Sequence, residues 1–555
     1  MKLEKTLETD VLIIGGGAAG LRAALAAAEA GAQVLIVNKG PVARSGISLT
    51  AAGGMQAPFH PEDSPRQYME DTLRCGYNLA DPSLARILAE GAAEGILSAQ
   101  RYGAGFAVNA DGSFNLGQFP GQSKPRNLFV RGGGIGLVAA LAQACRKQER
   151  ITVAGDFFVS GLVAAAGGDR IAAAVGLNLS SGQLTLLRAK SVIMATGGCQ
   201  WLWDINDCPT DASGEGIVYS YRAGAALVDM EMVLFYPSVI IWPPSLKGAF
   251  VHYEFLAGDI LGGNVYNDRG EAVLPQPLPV RDEAMRLMQR AIDAGGTSRG
   301  GLWWYVGDSP KGLAAVRKKL DIAQYNYLKA HGVDPATARI EVAPGAHYLL
   351  GGIRINHQCR TNLAGLFATP ECAGNFDGAN RLAGSGLTAT QVFGARAGLC
   401  AQQWAKQQSL ADVDAAELEQ ETSRVASRLG GGRPAADGLR LLRSQLRKAV
   451  QAGAGVVRDA AGLARLAQTA ASLRETAASM HVPETGVYNQ QLMELLQFDS
   501  MCELAGIIAG SALQRQESRG HHFRSDFPAA DDVWLCHTLV CRTDKGPGFA
   551  QAPLV

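Results

Sequence analysis

The 555-residue chain is 47% hydrophobic and 18% charged, a globular composition with core enough for two to four domains, which excludes a disordered or fibrous protein. Lys plus Arg and Asp plus Glu both total 51, so no net field argues for nucleic acid or an anionic membrane surface, and any functional charge must be local. The N-terminus MKLEKTLETD has no apolar h-region and the apolar runs are strand-length, so a soluble, cytoplasmic protein without direct membrane insertion is expected. The ten cysteines are scattered, with no CxxC, CxxCH or His/Cys cluster at metal spacing, which predicts reduced thiols and no metal, haem or iron–sulfur cluster in this chain.

In chain order, residues 11–14 form a β-branched run, Gly15, Gly17 and Gly20 supply GxGxxG, residues 21–30 read as an Ala-rich helix, and residues 33–37 as a second strand. In this βαβ context the glycines let a turn and a helix N-terminus approach a pyrophosphate. Where an acid often grips the adenosine ribose the chain has Asn38-Lys39; an Asn still hydrogen-bonds a hydroxyl, so the departure weakens a nicotinamide reading more than a flavin one. Ser45-Gly46 and Ala52-Gly53-Gly54 form a second small-residue loop, and residues 65–103 read as amphipathic helices. A helix ending near Cys145, strands near 151–159 and 171–179, and a strand closing on Ala195-Thr196-Gly197-Gly198 complete this half. Between about 236 and 342 the glycine pattern stops and Trp242, Trp303, Trp304 and a basic helix near 281–290 appear, the composition of an inserted domain. The segment 365–398 then reads as a strand, the acid Glu371 at its end, a glycine-rich turn carrying Arg381, and a helix beginning near Leu387. From about 410 the spacing is helical. Residues 515–526, RQESRGHHFRSD, pack charge densely, which suits a solvated or capped helix end held by salt bridges better than a catalytic role.

Taken together, GGGAAG at 15–20, ATGG at 195–198, SGEG at 213–216, DME at 229–231, Arg281-Asp282, HYLLGGI at 347–353, ATPECAG and GANRL within 368–382, and ESRGHHFRSDFP at 517–528 resemble the flavoprotein subunit of succinate dehydrogenase and fumarate reductase, with the related L-aspartate oxidases. The resemblance implies an α/β fold: a two-dinucleotide, Rossmann-like FAD-binding domain in two parts (1–235 and 343–409), an inserted α+β capping domain (236–342) and a C-terminal helical domain (410–555). It implies FAD held by Gly15, Gly17, Gly20, Asn38, Lys39, Ser45, Gly53, Gly54, Thr196, Gly197, Glu215, Tyr348, Glu371, Arg381, Ser385 and Leu387. The family's respiratory members link FAD through a His after Arg-Ser; this chain has Gly46, so non-covalent FAD is expected.

By the same resemblance, His347 and Arg381 hold one substrate carboxylate and Arg281 transfers the proton. The ligands of a second carboxylate are rewritten: Tyr236 stands where the family has a His, and only Glu254 is left of a Thr-Glu pair. Tyr236 either replaces that His as a neutral donor or lines a larger pocket. These residues suit hydride transfer at a C–C or C=C bond beside a carboxylate or acyl group, where Arg381 and His347 offset carbanion character. With no cluster of its own, the chain is expected to exchange electrons with a separate iron–sulfur subunit. Two other readings stand beside this one: an L-aspartate oxidase-like amino-acid oxidase, and a non-catalytic flavin electron-transfer subunit.

Overall fold

The β-branched run at the N-terminus becomes the central strand of the molecule. In the computed structural model, which describes residues 3–258, 260–320, 323–430, 433–434 and 436–554, the strand Leu3–Ile14 ends in the buried run Val11, Leu12, Ile13 and Ile14. It is flanked by parallel Val34–Val37 on one side and parallel Gln183–Met194 on the other. The sheet runs in the order Ile151–Ala154, Val34–Val37, Leu3–Ile14, Gln183–Met194, Ile171–Asn178, Phe157–Ala164, with Leu366–Ala368 paired in parallel to Val192, Ile193 and Met194. The last two strands of that order are antiparallel. Small residues set how closely two helices pack over this sheet: Ala18–Glu29 lies so near Ser385–Lys406 that a methyl group on Gly398 would meet the Ala23 carbonyl oxygen at 2.2 Å.

A second sheet, antiparallel, has the order Val233–Trp242, Ile340–Leu349, Leu302–Tyr305, Asn264–Tyr266. Its first two strands join two apolar cores. Val233, Phe235, Ala346 and Leu349 belong to the main core, whereas Tyr236, Val239, Ile240, Ile340 and Val342 belong to a second one that also takes in Trp304 and the helix residues Ala284 and Met288.

The C-terminal region is helical through Ala415–Ala426, Ala436–Gly453, Ala460–Ala478 and Gln490–Gln514, as the spacing predicts. It then departs from the purely helical expectation: His537–Thr543 and Gly546–Ala552 form a hairpin that pairs with Leu227–Val228. The two-residue turn Asp544-Lys545 and the following Gly546, at φ 104°, turn the chain without needing a helical period to end visibly in the sequence.

The charged segment 515–526 forms ion pairs, and those of Arg515, Glu517 and Arg519 are buried rather than solvated, only the Arg524–Asp526 pair reaching the surface. Arg515 donates to Glu231 (2.6 Å), Glu517 (2.9 Å) and the carbonyls of Trp534 and Cys536 (2.7 Å each), all three charged side chains being inaccessible. Arg458 donates to the Glu231 carbonyl (2.7 Å), and Arg519 to Glu517 (2.8 Å). Burial pushes the Glu231 carboxyl up while Arg515 pulls it back. Removing one partner of such a buried set strands the others, at ~3–5 kcal/mol. Arg515→Leu is therefore expected to lower unfolding stability by about that amount in urea titration; a loss under ~1 kcal/mol would show that the network contributes like a surface pair.

Candidate active site and cofactor cleft

The parallel strands end together at Ile14, Val37, Met194 and Ala368, and the loops that follow them open a cleft at that edge of the sheet, where open α/β sheets bind ligands. Its lining includes Gly15, Gly17, Asn38, Lys39, Ser45, Gly53, Gly54, Thr196, Gly197, Glu215, Tyr348, Glu371, Arg381 and Leu387. Counting open solvent at its mouth, the cleft encloses about 1850 Å³ of empty space.

Three helices begin at this cleft from glycine N-caps with no side-chain cap: Ala18–Glu29 after Gly17, Glu215–Arg222 after Gly214, and Ser385–Lys406 after Gly384. Five other helices carry side-chain caps, from Ser64, Asp81, Asp414, Asp459 and Asn489, whereas Gly133–Arg146, Arg281–Asp293 and Leu313–Lys319 have none. The first turns that face the cleft thus keep N–H groups for a ligand, with the positive end of each helix dipole behind them. Gly15 has φ 117°, and a methyl group there would reach the Ala195 carbonyl oxygen at 2.2 Å, so the turn cannot admit a side chain. Buried Thr196 Oγ1, Tyr348 Oη and Arg381 Nε find no hydrogen-bond partner among the described residues. A long cleft with glycine walls, free helix N-termini and unspent polar atoms fits FAD.

Several expected contacts are spent within the protein. Asn38 accepts from the Gly16 amide (2.9 Å) and donates to Gly40 O and Ser45 Oγ (2.9 Å each), so its amide shapes the loop. Lys39 donates to Glu215 (2.5 Å), Ser213 Oγ (2.9 Å) and Asp211 O (2.8 Å); burial raises the Glu215 carboxyl, but Lys39 and Ser213 outweigh it and hold the group ionised. Two expected cofactor ligands lie outside the lining. A Cβ on Gly20 would sit 1.9 Å from Gly15 O, so this glycine serves helix–turn packing. Ser385 is buried behind the cleft with Oγ unpartnered among the described residues.

At one end of the cleft the chemistry-bearing residues converge. The ladder between Val233–Trp242 and Ile340–Leu349 pairs Leu234 with Tyr348 but Phe235 with Ala346, leaving His347 as the extra residue of a bulge. Its ring lies 5.0 Å from that of Tyr236, and its Nδ1 is 2.7 Å from Asp207 Oδ2, which fixes the imidazole and leaves Nε2 without a partner among the described residues. Tyr236 Oη accepts from the Tyr253 amide at 2.9 Å; burial pushes its phenol well up, so the neutral O–H remains a donor to the cleft. Arg281, first residue of helix Arg281–Asp293, has its guanidinium 5.1 Å from the Tyr236 ring centroid and 5.8 Å from that of Tyr253. Arg381 stacks on Tyr348 at 4.2 Å. Burial lifts the Glu371 carboxyl to about 7, against the opposing pull of the Gln200 amide (2.5 Å), the Leu349 N–H and Arg381.

Glu254, expected with the clamp, lines this end together with three residues that the sequence did not single out: Asp207, Phe250 and His252. His252 lies 3.7 Å from Glu254 and is kept neutral by burial. Asp207 lies in the loop WDINDCPTD, with no periodicity to mark it, and His252 precedes the short turn Tyr253–Phe255, which has none either.

The cleft and its sheet are those of an FAD-binding protein, and the model of the FAD binding domain matches residues 10–387, with that of the fumarate reductase flavoprotein C-terminus matching 443–554. The chain belongs to the succinate dehydrogenase/fumarate reductase flavoprotein family. It is 34% identical over 548 residues (96% of this chain, 97% of the relative) to one of the subunits of a CoM/CoB fumarate reductase from Methanothermobacter marburgensis. It is 31% identical over 546 residues (98% of each) to an L-aspartate oxidase from Caulobacter vibrioides. Among solved structures, E. coli quinol fumarate reductase FrdA superposes with a TM-score of 0.91 at 26% identity, covering 99% of this chain and 97% of that one.

At position 46, where the resemblance would put a linking histidine, Gly46 lines the cleft with φ 96° and offers no nucleophile. Acid precipitation of the purified protein is therefore expected to leave the flavin in a yellow supernatant; flavin retained in the pellet at one per chain would show a covalent link.

Proposed function

We propose that this chain is the flavin-carrying catalytic subunit of a cytoplasmic oxidoreductase that moves a hydride at a C–C or C=C bond next to the carboxylate or acyl group of a small substrate, and exchanges electrons with a separate iron–sulfur protein. The reading rests on one observation: Arg281, His347 and Arg381, from three separated segments, meet in the cleft that the dinucleotide loops open into. In this reading residues 1–235 and 343–409 hold the cofactor, 236–342 close over it as a cap, and 410–555 brace both. FAD, when bound, supplies the two-electron carrier.

The chain's own residues do the rest. Arg381, its fork oriented by the Tyr348 ring, takes one carboxylate together with His347, whose ring Asp207 holds in place. These contacts strengthen as negative charge builds on the adjacent carbon. Arg281 moves the proton at that carbon, a guanidinium being matched to a strongly basic atom. The other end of the substrate meets Tyr236, Phe250 and His252, neutral and aromatic, with Glu254 adding negative charge. That end favours an uncharged or thioester terminus, since each charge-assisted hydrogen bond forgone by a second carboxylate is worth roughly 1.5–3 kcal/mol.

Arg281→Lys keeps a positive charge but loses the planar fork, and turnover should fall by orders of magnitude with FAD content intact. Near-native turnover of that variant would reduce Arg281 to a structural cation. Steady-state assays with an artificial electron donor or acceptor should rank alkyl- or aryl-substituted acrylates, propionates and their thioesters above fumarate and succinate in kcat/KM; the reverse order would mean that Tyr236, His252 and Glu254 rebuild a second carboxylate site.

A further inference from the structure

In the loop that carries Arg381, four residues before it, is a buried carboxylate that the proposed arrangement does not use. Asp377 is 2% exposed, and neither of its carboxylate oxygens has a hydrogen-bond partner among the described residues. A carboxylate so placed needs a nearby cation or a proton, because unpaired burial of the ionised form is strongly disfavoured. Three elements face it. Helix Pro65–Cys75 contributes Tyr68 and Cys75, strand Ile340–Leu349 contributes Tyr348, and its own loop contributes Arg381. Burial pushes both phenols far up and the Cys75 thiol up to about 12, so these three stay neutral at physiological pH. Arg381 is the cation that Asp377 senses, and its Nε is likewise unpartnered among the described residues. Arg381 also faces Glu371, from the cleft side.

We propose that Asp377 is the counter-charge that sets the anion affinity of Arg381, and that a carboxylate binding at Arg381 makes Asp377 take up one proton from solvent. The inference rests on the reading that Arg381 holds the substrate carboxylate. One guanidinium in a buried setting cannot favour two neighbouring anions equally, so the anion left without the arginine's full attraction is the one that protonates. Burial already lifts Asp377 to about 7, with Arg381 pulling the other way; sharing that cation with a ligand weakens the pull and lifts the group further. The sign follows directly. Below pH ~7 Asp377 is protonated in the free and bound forms and binding takes up no proton there; above it the free form is ionised and the bound form protonated, so affinity falls by up to about tenfold per pH unit. Asp377 does not touch the substrate in this scheme; it is a positioning residue acting through Arg381.

The test uses oxidised, FAD-loaded enzyme, which has no electrons to reduce an unsaturated acid, titrated calorimetrically with fumarate and with crotonate. Measuring each heat at pH 8 in two buffers of different ionisation enthalpy gives the protons taken up per ligand bound. Wild type should take up close to one proton more than Asp377→Asn, and its affinity should fall between pH 7 and pH 8 by at least fivefold, while that of the variant changes less than twofold. Asp377→Ser provides a second uncharged variant should Asn fail to load FAD. A packing defect alone would weaken binding at every pH and leave proton uptake unchanged. Equal uptake and equal pH slopes in wild type and variants overturn the proposal while leaving the substrate reading intact; binding of neither acid to wild type overturns the substrate reading and takes this inference with it.

Discussion

The pairing of Val233–Trp242 with Ile340–Leu349 is the constraint on which the site depends. These two strands belong to both apolar cores, so their register fixes the second core on the sheet that forms the cofactor cleft. A one-residue slip would turn every side chain to the opposite face, moving Phe235 out of the main core and Tyr236 out of the cleft. Burial of both faces makes that slip costly. The ladder is nevertheless irregular at the cleft: the register shift between Leu234 and Phe235 leaves His347 without a ladder partner, and its ring meets Tyr236 and Asp207.

A second set of contacts holds the two cleft arginines, Arg281 and Arg381, in mutual register. Asp282 follows Arg281 and Asn380 precedes Arg381, and Asn380 Nδ2 donates to Asp282 Oδ1 at 3.3 Å while Asn380 Oδ1 accepts the Arg381 amide at 2.8 Å. Tyr77 and Arg286 also donate to Asp282 (2.5 and 3.1 Å). The C-terminal region closes the set: His521 Nδ1 accepts from the Phe235 amide (3.3 Å), beside Tyr236, and Nε2 lies 3.1 Å from Asn380 Oδ1. Burial, outweighing the opposing charge of Asp282, drives this imidazole down to about 3, so the ring stays neutral and its two nitrogens keep distinct roles. Helix Arg281–Asp293, the Arg381 loop and the segment after Arg515 thus share one buried knot. The charge density at 515–526, which in the sequence looked like a solvated helix end, is inside because it anchors this knot through Arg515, Glu517 and Arg519.

Much of this was legible in the sequence because it rests on local rules. A β-branched run, three glycines and an alanine-rich helix specify strand, turn and helix without reference to the rest of the chain, and the motifs around Glu371 and Arg381 lie in one short loop. What escaped notice depends on long-range placement. Asp207 acquires its partner 140 residues away, and no spacing encodes that distance. Asn38 stands in the sequence where a ribose ligand is expected, but its three hydrogen bonds to Gly16, Gly40 and Ser45 depend on a loop conformation that residue types alone do not determine. Gly20 and Ser385 occur in cofactor motifs yet face the packing side of their helices. The C-terminal hairpin escaped because each strand is only seven residues long and half exposed, leaving little periodicity to separate it from a loop.

The electrostatics of the cleft follow from the same placement. Helix N-termini at Gly17, Gly214 and Gly384 direct positive dipole ends toward it, and Lys39, Arg281 and Arg381 add full charges. Uncompensated, that much positive potential in a buried cavity would be costly, and the carboxylates nearby offset it in two ways. Glu215, in hydrogen-bond contact with Lys39, stays ionised and neutralises it permanently. Glu371 and Asp377 have no such contact cation among the described residues, and burial lifts both carboxyls to about 7, where a proton is exchanged at little free-energy cost. The end of the cleft that lies against Lys39 therefore has a fixed charge, whereas the end around Arg381 has one that adjusts to whatever anion arrives. A cleft that alternates between an empty state and one holding an anion needs that adjustable end beside the arginine, and the chain supplies it within the seven residues from Glu371 to Asp377.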